Sequence, residues 1–293
     1  MLRFWLLMMV FVLVSMVGAG GALAASSKKG PPRKAILLVA FGTSAHEARK
    51  AYDHIDTLAG KAFPDVEIRW AYTSRTIRMK LAAQGETLHS PEVALAQMMD
   101  EGFTHVAVLS LHVIPGEEFH ALSRNVQLFS EMAGGFERIL LAQPLLVSYG
   151  DMVRVAKILL KEIPSDRKPE DAVLFMGHGS GKHAADAMYA AMSYILQDLA
   201  SNVFVATVEG NPTLNDVLPK LLERKVKKVY LIPFMAVAGE HARSDMAGAK
   251  PESWQSVLTR NGIACKPILT GSAESPDIVE VWLDHLREVF SQL

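Results

Sequence analysis

The sequence predicts an α/β protein built from two similar domains, each with a parallel sheet. Three observations predict it. Short, nearly continuous apolar runs alternate with longer amphipathic stretches, as for strands buried on both faces between helices. The chain also repeats itself. Ala35-Ile36-Leu37-Leu38-Val39-Ala40-Phe41-Gly42-Thr43-Ser44 returns as Ala172-Val173-Leu174-Phe175-Met176-Gly177-His178-Gly179-Ser180, and Val106-Ala107-Val108-Leu109 leading into Ile114-Pro115-Gly116-Glu117-Glu118 returns as Val229-Tyr230-Leu231-Ile232 leading into Val237-Ala238-Gly239-Glu240-His241. Finally, a polar, breaker-rich seam, Pro164-Ser165-Asp166-Arg167-Lys168-Pro169, separates the copies.

In chain order, the first copy should place strands at 35–40, 67–72, 104–109 and 138–141, with helices over 45–62, 90–101 and 117–132. A helix over 149–162 leads into the seam. The second copy should place strands at 172–176, 203–208, 228–232 and 264–268, with helices over 184–199, 214–223, 240–247 and 253–261. An amphipathic helix over 277–291 closes the chain. The expected domains are therefore 34–163 and 164–293. In open parallel sheets ligands bind beyond the carboxyl ends of strands, where every repeated glycine turn falls. The matched turns should converge on one cleft between the domains.

Ahead of these domains, Arg3 is the only charge before Lys28, Phe4 to Val17 is apolar, and Ala22-Leu23-Ala24 supplies small residues. This is the pattern of a cleaved secretory signal over 1–24. The apolar stretch is short against the roughly 20 residues of a membrane span. The expectation is a periplasmic protein with no stable span after cleavage, its residues 25–33 a flexible leader containing Lys28, Lys29, Gly30, Pro31 and Pro32.

The chain has 30 Lys and Arg against 31 Asp and Glu; removal of Arg3 leaves 29 against 31. That balance gives no electrostatic case for nucleic acid. Cys265 is the only cysteine, so stability must come from a packed core rather than disulfides, for which about 265 residues is ample. There is no G-x-G-x-x-G after a strand, no G-x-x-x-x-G-K-[ST] and no G-x-S-x-G, so nucleotide binding and serine nucleophile chemistry have no starting point.

The polar residues at strand ends remain. His178 follows a strand directly, between glycines that let a ligand approach its ring; its plainer reading is a helix cap. His241 opens a helix after another strand, where it could equally face solvent. Glu209, in Val208-Glu209-Gly210, stands at a third strand end. Two imidazoles and a carboxylate on one rim would suit a divalent metal, although none has a short metal-binding spacing. Glu117 and Glu118 begin a helix, where carboxylates also complement the macrodipole; by the internal match Glu118 should face His241 across the cleft. His120 has no histidine counterpart, Arg243 holding its place in the second copy. Arg75, Arg78 and Lys80 place three positive charges after the second strand.

Taken together, Leu38-Val39-Ala40-Phe41-Gly42-Thr43-Ser44, Thr73-Ser74-Arg75, Gly116-Glu117-Glu118, Met176-Gly177-His178-Gly179, Val208-Glu209-Gly210 and Gly239-Glu240-His241 resemble the sirohydrochlorin cobaltochelatases of the anaerobic cobalamin pathway. These are class II chelatases, the group that includes ferrochelatase. The resemblance covers nearly everything from Arg33 to Leu293. It implies two Rossmann-like domains flanking a tetrapyrrole cleft, and ATP-independent insertion of Co²⁺, with Fe²⁺ an alternative substrate metal. His178 and His241 take the roles of metal ligand and proton acceptor, Glu209 that of a carboxylate near the metal, and Glu118 that of the opposing acid. Arg75, Arg78, Arg243 and Glu117 become the expected substrate-binding residues. Family members are often oligomers, so a homo-oligomer is expected. An exported chelatase lacks an obvious substrate supply, which raises the alternative of a periplasmic tetrapyrrole or metal carrier with this fold, His120 serving as an axial ligand for haem.

Overall fold

The structure is a computed structural model that describes residues 30–181 and 183–293. The expected signal peptide, and the leader as far as residue 29, lie outside the described residues. From Arg33 to Leu293 the chain is one compact unit.

The first half runs β1 (Lys34–Ala40), a 3-10 turn (His46–Arg49), α1 (Lys50–Ala62), β2 (Glu67–Tyr72), α2 (Arg75–Ala82), α3 (Pro91–Asp100), β3 (His105–Ser110), α4 (Glu117–Glu131), β4 (Arg138–Ala142) and α5 (Tyr149–Lys161). The second runs β5 (Ala172–Gly177), a 3-10 turn (Ala184–Asp186), α6 (Ala187–Leu199), β6 (Val203–Thr207), α7 (Leu214–Glu223), β7 (Lys228–Pro233), a π-helix (His241–Met246), α8 (Trp254–Arg260), β8 (Ala264–Pro267), a 3-10 turn (Ser272–Glu274) and α9 (Pro276–Phe290).

Both sheets are parallel and have one strand order, β2-β1-β3-β4 and β6-β5-β7-β8. Duplication therefore extends to topology. Strand order reverses beside β1 in one sheet and beside β5 in the other, so a ligand crevice opens beyond their carboxyl ends. β1 and β5 are buried almost throughout, and their side chains divide by the two-residue pleat. Ala35, Leu37 and Val39 pack with α3 and α4, whereas Ile36, Leu38 and Ala40 face a larger core that also takes Val173 and Phe175 of β5. Ala172, Leu174 and Met176 of β5 pack with α7 and α8.

Sequence order does not predict where α9 lies. It packs on β3, β4 and α1 of the first half, while α5 packs against α6 of the second. Its apolar stripe, Ile278, Val279, Trp282, Leu283 and Leu286, is fully buried there, covering a sheet face that would otherwise meet water. Local signals set its start: Ser275 Oγ accepts from Ile278 N at 3.2 Å, and Pro276 takes the first helical position.

The segment expected to be a helix over 240–247 is a π-helix over His241–Met246, marked by Ala247 N donating to Ala242 O, five residues back. The helices expected from 45 and from 184 each begin as 3-10 turns.

Candidate metal centre and tetrapyrrole cleft

The turns after β1, β3, β5 and β7 meet as expected, around a cavity of about 540 Å³. That size is ordinary for a small-molecule site. The two copies contact one another reciprocally. A Cβ at Gly239 would lie 3.2 Å from Thr43 Oγ1, and one at Gly116 would lie 3.4 Å from Ser180 Cβ. Thr43 and Ser180 are matched residues, as are Gly116 and Gly239, so the halves meet with local two-fold symmetry. Gly42 and Gly179 repeat a left-handed conformation, φ +105° and +83°, which a side chain rarely adopts. Behind each turn stands a buried tyrosine, Tyr52 or Tyr189; burial raises both hydroxyl pKa values, partly offset by the backbone at Gly42, or at Gly179 and His178.

Side chains break the symmetry. His178 Nε2 lies 3.9 Å from Glu209 Oε2, and the His178 and His241 rings stand edge to face with centroids 4.7 Å apart. One ligand atom from each of His178, Glu209 and His241 lies within 4.8 Å of the others. A single ion can therefore reach all three after small side-chain rotations.

Hydrogen bonding fixes the tautomers. His178 Nδ1 is 2.8 Å from Gly179 O, and His241 Nδ1 is 2.6 Å from Asp245 Oδ2. A carbonyl and an ionised carboxylate only accept, so each Nδ1 carries the proton and each neutral ring keeps a bare Nε2. The two partners differ: a carboxylate holds the His241 ring and a neutral carbonyl the His178 ring. Asp245 went unassigned in the sequence, although its place four residues after His241 on a predicted helix was a readable signal.

Glu117 and Glu118 also line the cavity, at the start of α4. Glu118 is half-buried and has no hydrogen-bond or ion-pair partner among the described residues. Glu240 also lines the cavity, and no lysine or arginine does so among the described residues. The field inside favours a cation.

The basic residues lie elsewhere. Arg78 donates to the carbonyls of Tyr72 and Thr73, Arg243 pairs with Glu47 across the cleft at 3.0 Å, and Arg75 is exposed on α2. None of the three lines the cavity. His120 is exposed, its ring centroid 5.0 Å from that of His183 in the other half.

His112, which the sequence reading passed over, lines the cavity at the end of β3. Its Nδ1 is 2.8 Å from Ser110 Oγ, and its Nε2 is sealed from solvent without a hydrogen-bond partner among the described residues. Its match in the second copy is Met235, so no repeated polar motif pointed to it.

Comparison with known proteins agrees with this geometry. Residues 34–291 match the family model for cobalt chelatase (CbiK). The sirohydrochlorin cobaltochelatase CbiKC of Nitratidesulfovibrio vulgaris (strain Hildenborough) is 41% identical over 261 residues, covering 89% of this chain and 92% of that protein. The sirohydrochlorin cobaltochelatase of Salmonella typhimurium (strain LT2) is 34% identical over 261 residues, covering 88% and 97%. Among solved structures, the sirohydrochlorin chelatase SirB from Bacillus subtilis in complex with cobalt aligns with a TM-score of 0.55 at 15% identity, over 87% of this chain and 94% of that one. It shares the two-sheet class II chelatase fold. With a family model spanning nearly every residue of the compact unit, and with two curated relatives above 30% identity, the chain belongs to the CbiK cobalt chelatase family.

Proposed function

We propose that the protein inserts Co²⁺ into sirohydrochlorin without ATP. The observation that carries this reading is the His178–Glu209–His241 cluster lining the cavity between the matched turns. Metalation must deliver a partly dehydrated dication to the ring and remove two pyrrole N–H protons. Two neutral Nε2 atoms and one carboxylate hold the ion while leaving positions open to ring nitrogens. As those nitrogens bind, the released protons pass to bases at the ring edges. His241, its Nε2 freed as the ion passes to the ring, takes one proton with Asp245 stabilising the imidazolium, and Glu118 takes the other. The product is the cobalt chelate plus two protons, with no redox change.

The test is an insertion assay with sirohydrochlorin and protoporphyrin, each offered Co²⁺ and Fe²⁺. The expected result is cobalt insertion into sirohydrochlorin; preference for protoporphyrin with Fe²⁺ would instead make the protein a ferrochelatase on a related tetrapyrrole.

We further propose export by a cleaved signal over 1–24, and two duplicated copies that join in sequence at residues 163 and 164, their closing helices α5 and α9 each packing with elements of the other copy. No helix among the described residues is long and apolar enough to cross a membrane. Cell fractionation tests this: the mature chain should appear in the periplasmic fraction, shortened by about 24 residues. A homo-oligomer is proposed from the family, and sedimentation tests it.

Family membership favours the enzyme over a carrier that merely keeps the fold. Haem binding at His120 is a second, additional reading, supported by the exposure of that ring and its approach to His183. Its test is a Soret band in the purified protein that disappears in His120→Ala.

A further inference from the structure

The ligand candidates sit on separate loops, His178 after β5 and Glu209 after β6, and one buried side chain ties these two together. Asp186 is 6% exposed and immediately precedes α6. An aspartate there ordinarily caps its own helix, but this one makes no capping bond to α6. Its Oδ1 accepts from both the N–H and the Oγ–H of Ser180 at 2.8 Å, and its Oδ2 accepts from the N–H of Asn211 at 3.3 Å. One carboxylate thus bonds the loop carrying His178 and the loop carrying Glu209.

Between these anchors the loops touch backbone to backbone. Glu209 N donates to His178 O at 2.8 Å. A Cβ on Gly179 would lie 2.5 Å from Gly210 N, and one on Gly210 would collide with Asp186 Oδ2. Two glycines permit the approach, and the aspartate oxygen fills the space that the missing Cβ leaves.

The first copy lacks this device. Arg49 immediately precedes α1 as Asp186 precedes α6, and its guanidinium donates to both oxygens of Glu86, at 2.8 and 2.7 Å. The first-copy match of Glu209 is Ser74: β1 pairs Ala40 with Tyr72 as β5 pairs Gly177 with Thr207, and Ser74 and Glu209 each follow two residues later. Ser74 caps α2. The tie and the ligand carboxylate therefore occur together, only in the copy that carries the histidines.

We infer that Asp186 is a positioning residue of the metal site, holding the His178 and Glu209 loops at the separation a divalent cation requires. The inference rests on the metal-site reading above. Its carboxylate touches neither metal nor ring; it acts through two loops whose donors it satisfies. Asp186→Asn keeps the shape but turns an N–H₂ toward one set of donors, breaking one anchor whichever way the amide faces.

The test is Co²⁺ binding to the full mature protein without tetrapyrrole, followed by calorimetry and by the visible Co²⁺ absorption, in wild type, His178→Ala and Asp186→Asn. The expected result is binding in wild type, its loss in His178→Ala, and a roughly 10–100-fold weaker Kd with a shifted spectrum in Asp186→Asn, as for other residues that orient metal ligands. Should Asp186→Asn melt lower than wild type, Ser180→Ala is scored instead; it removes one of the three bonds and should weaken binding by a smaller factor. Wild-type affinity and an unchanged spectrum in a folded Asp186→Asn, or in the Ser180→Ala that replaces it, would overturn the inference while leaving the metal site standing. Equal binding in wild type and His178→Ala, or none in wild type, would overturn the metal-site reading and this inference with it.

Discussion

Phe41 and His178 hold the same place in the two copies and face each other across the cleft, their ring centroids 5.8 Å apart at an interplanar angle of 48°. The duplicated turn thus supplies a ring from each half, one able to bind metal and one apolar. Phe41 is 39% exposed and lines the cavity, where an aromatic face can stack on a macrocycle. Removing it should affect substrate more than stability. In Phe41→Ala the KM for the tetrapyrrole should rise about 2- to 10-fold, the worth of one aromatic pair, with the melting temperature nearly unchanged. Steady-state kinetics and a thermal melt check this; an unchanged KM would remove Phe41 from the binding surface.

His178→Ala and His241→Ala should each abolish cobalt insertion while the protein stays folded. Both rings are partly exposed and lie beyond the strand ends, outside the packed cores, so deletion opens no large cavity. Each substitution removes one of three ligand atoms. The loss should exceed the roughly 10–100-fold typical of an outer-shell partner. Near-wild-type insertion by either folded variant would sink the assignment.

The strands were legible because each central one is buried on two faces, which writes a continuous apolar run into the chain. Matched glycine turns then located the cleft, since left-handed turns at strand ends have few other solutions. The address of α9 was not legible: its 3.6-residue stripe shows that one face is buried but not against which sheet. Asp186 was hidden because two of its three bonds go to backbone N–H groups, of Ser180 and of Asn211, and its one side-chain partner, Ser180, stands at a spacing that marks no motif. Arg78 shows the same limit, as a charge after a strand looks the same in sequence whether it meets substrate carboxylates or the carbonyls of Tyr72 and Thr73.

Asp245 gives a sharper test of how the two histidines differ. His241 shares its proton with a carboxylate 2.6 Å away, His178 with a carbonyl at 2.8 Å. Asp245→Asn removes the charged acceptor that orients the His241 ring, and its amide can present N–H₂ to Nδ1 and move the ring proton to Nε2, the metal-facing atom. Turnover should fall roughly 10–100-fold, with kcat affected more than the KM for the tetrapyrrole. Equal kinetics in wild type and Asp245→Asn would leave His241 without a positioning partner.

His112 predicts a pH dependence of stability. Burial first, and then the neighbouring His178 when charged, lower its pKa from the usual 6.5 to about 4. The unfolded chain binds this proton near 6.5 and the folded protein resists it until about 4, so the sign is that of a base kept neutral by folding. Its contribution is fully present above pH 6.5 and is lost as pH falls toward 4. The displacement from 6.5 to about 4 corresponds to roughly 3 kcal/mol. Carboxylates titrate over the same range, so the comparison must be between variants. His112→Phe fills similar space without a titrating group. In chelator-treated protein, urea unfolding should show wild type losing about 3 kcal/mol relative to His112→Phe between pH 7 and pH 4. A wild-type-to-variant difference that stays constant across that range would show that His112 takes up its proton in the folded state as readily as in the unfolded one.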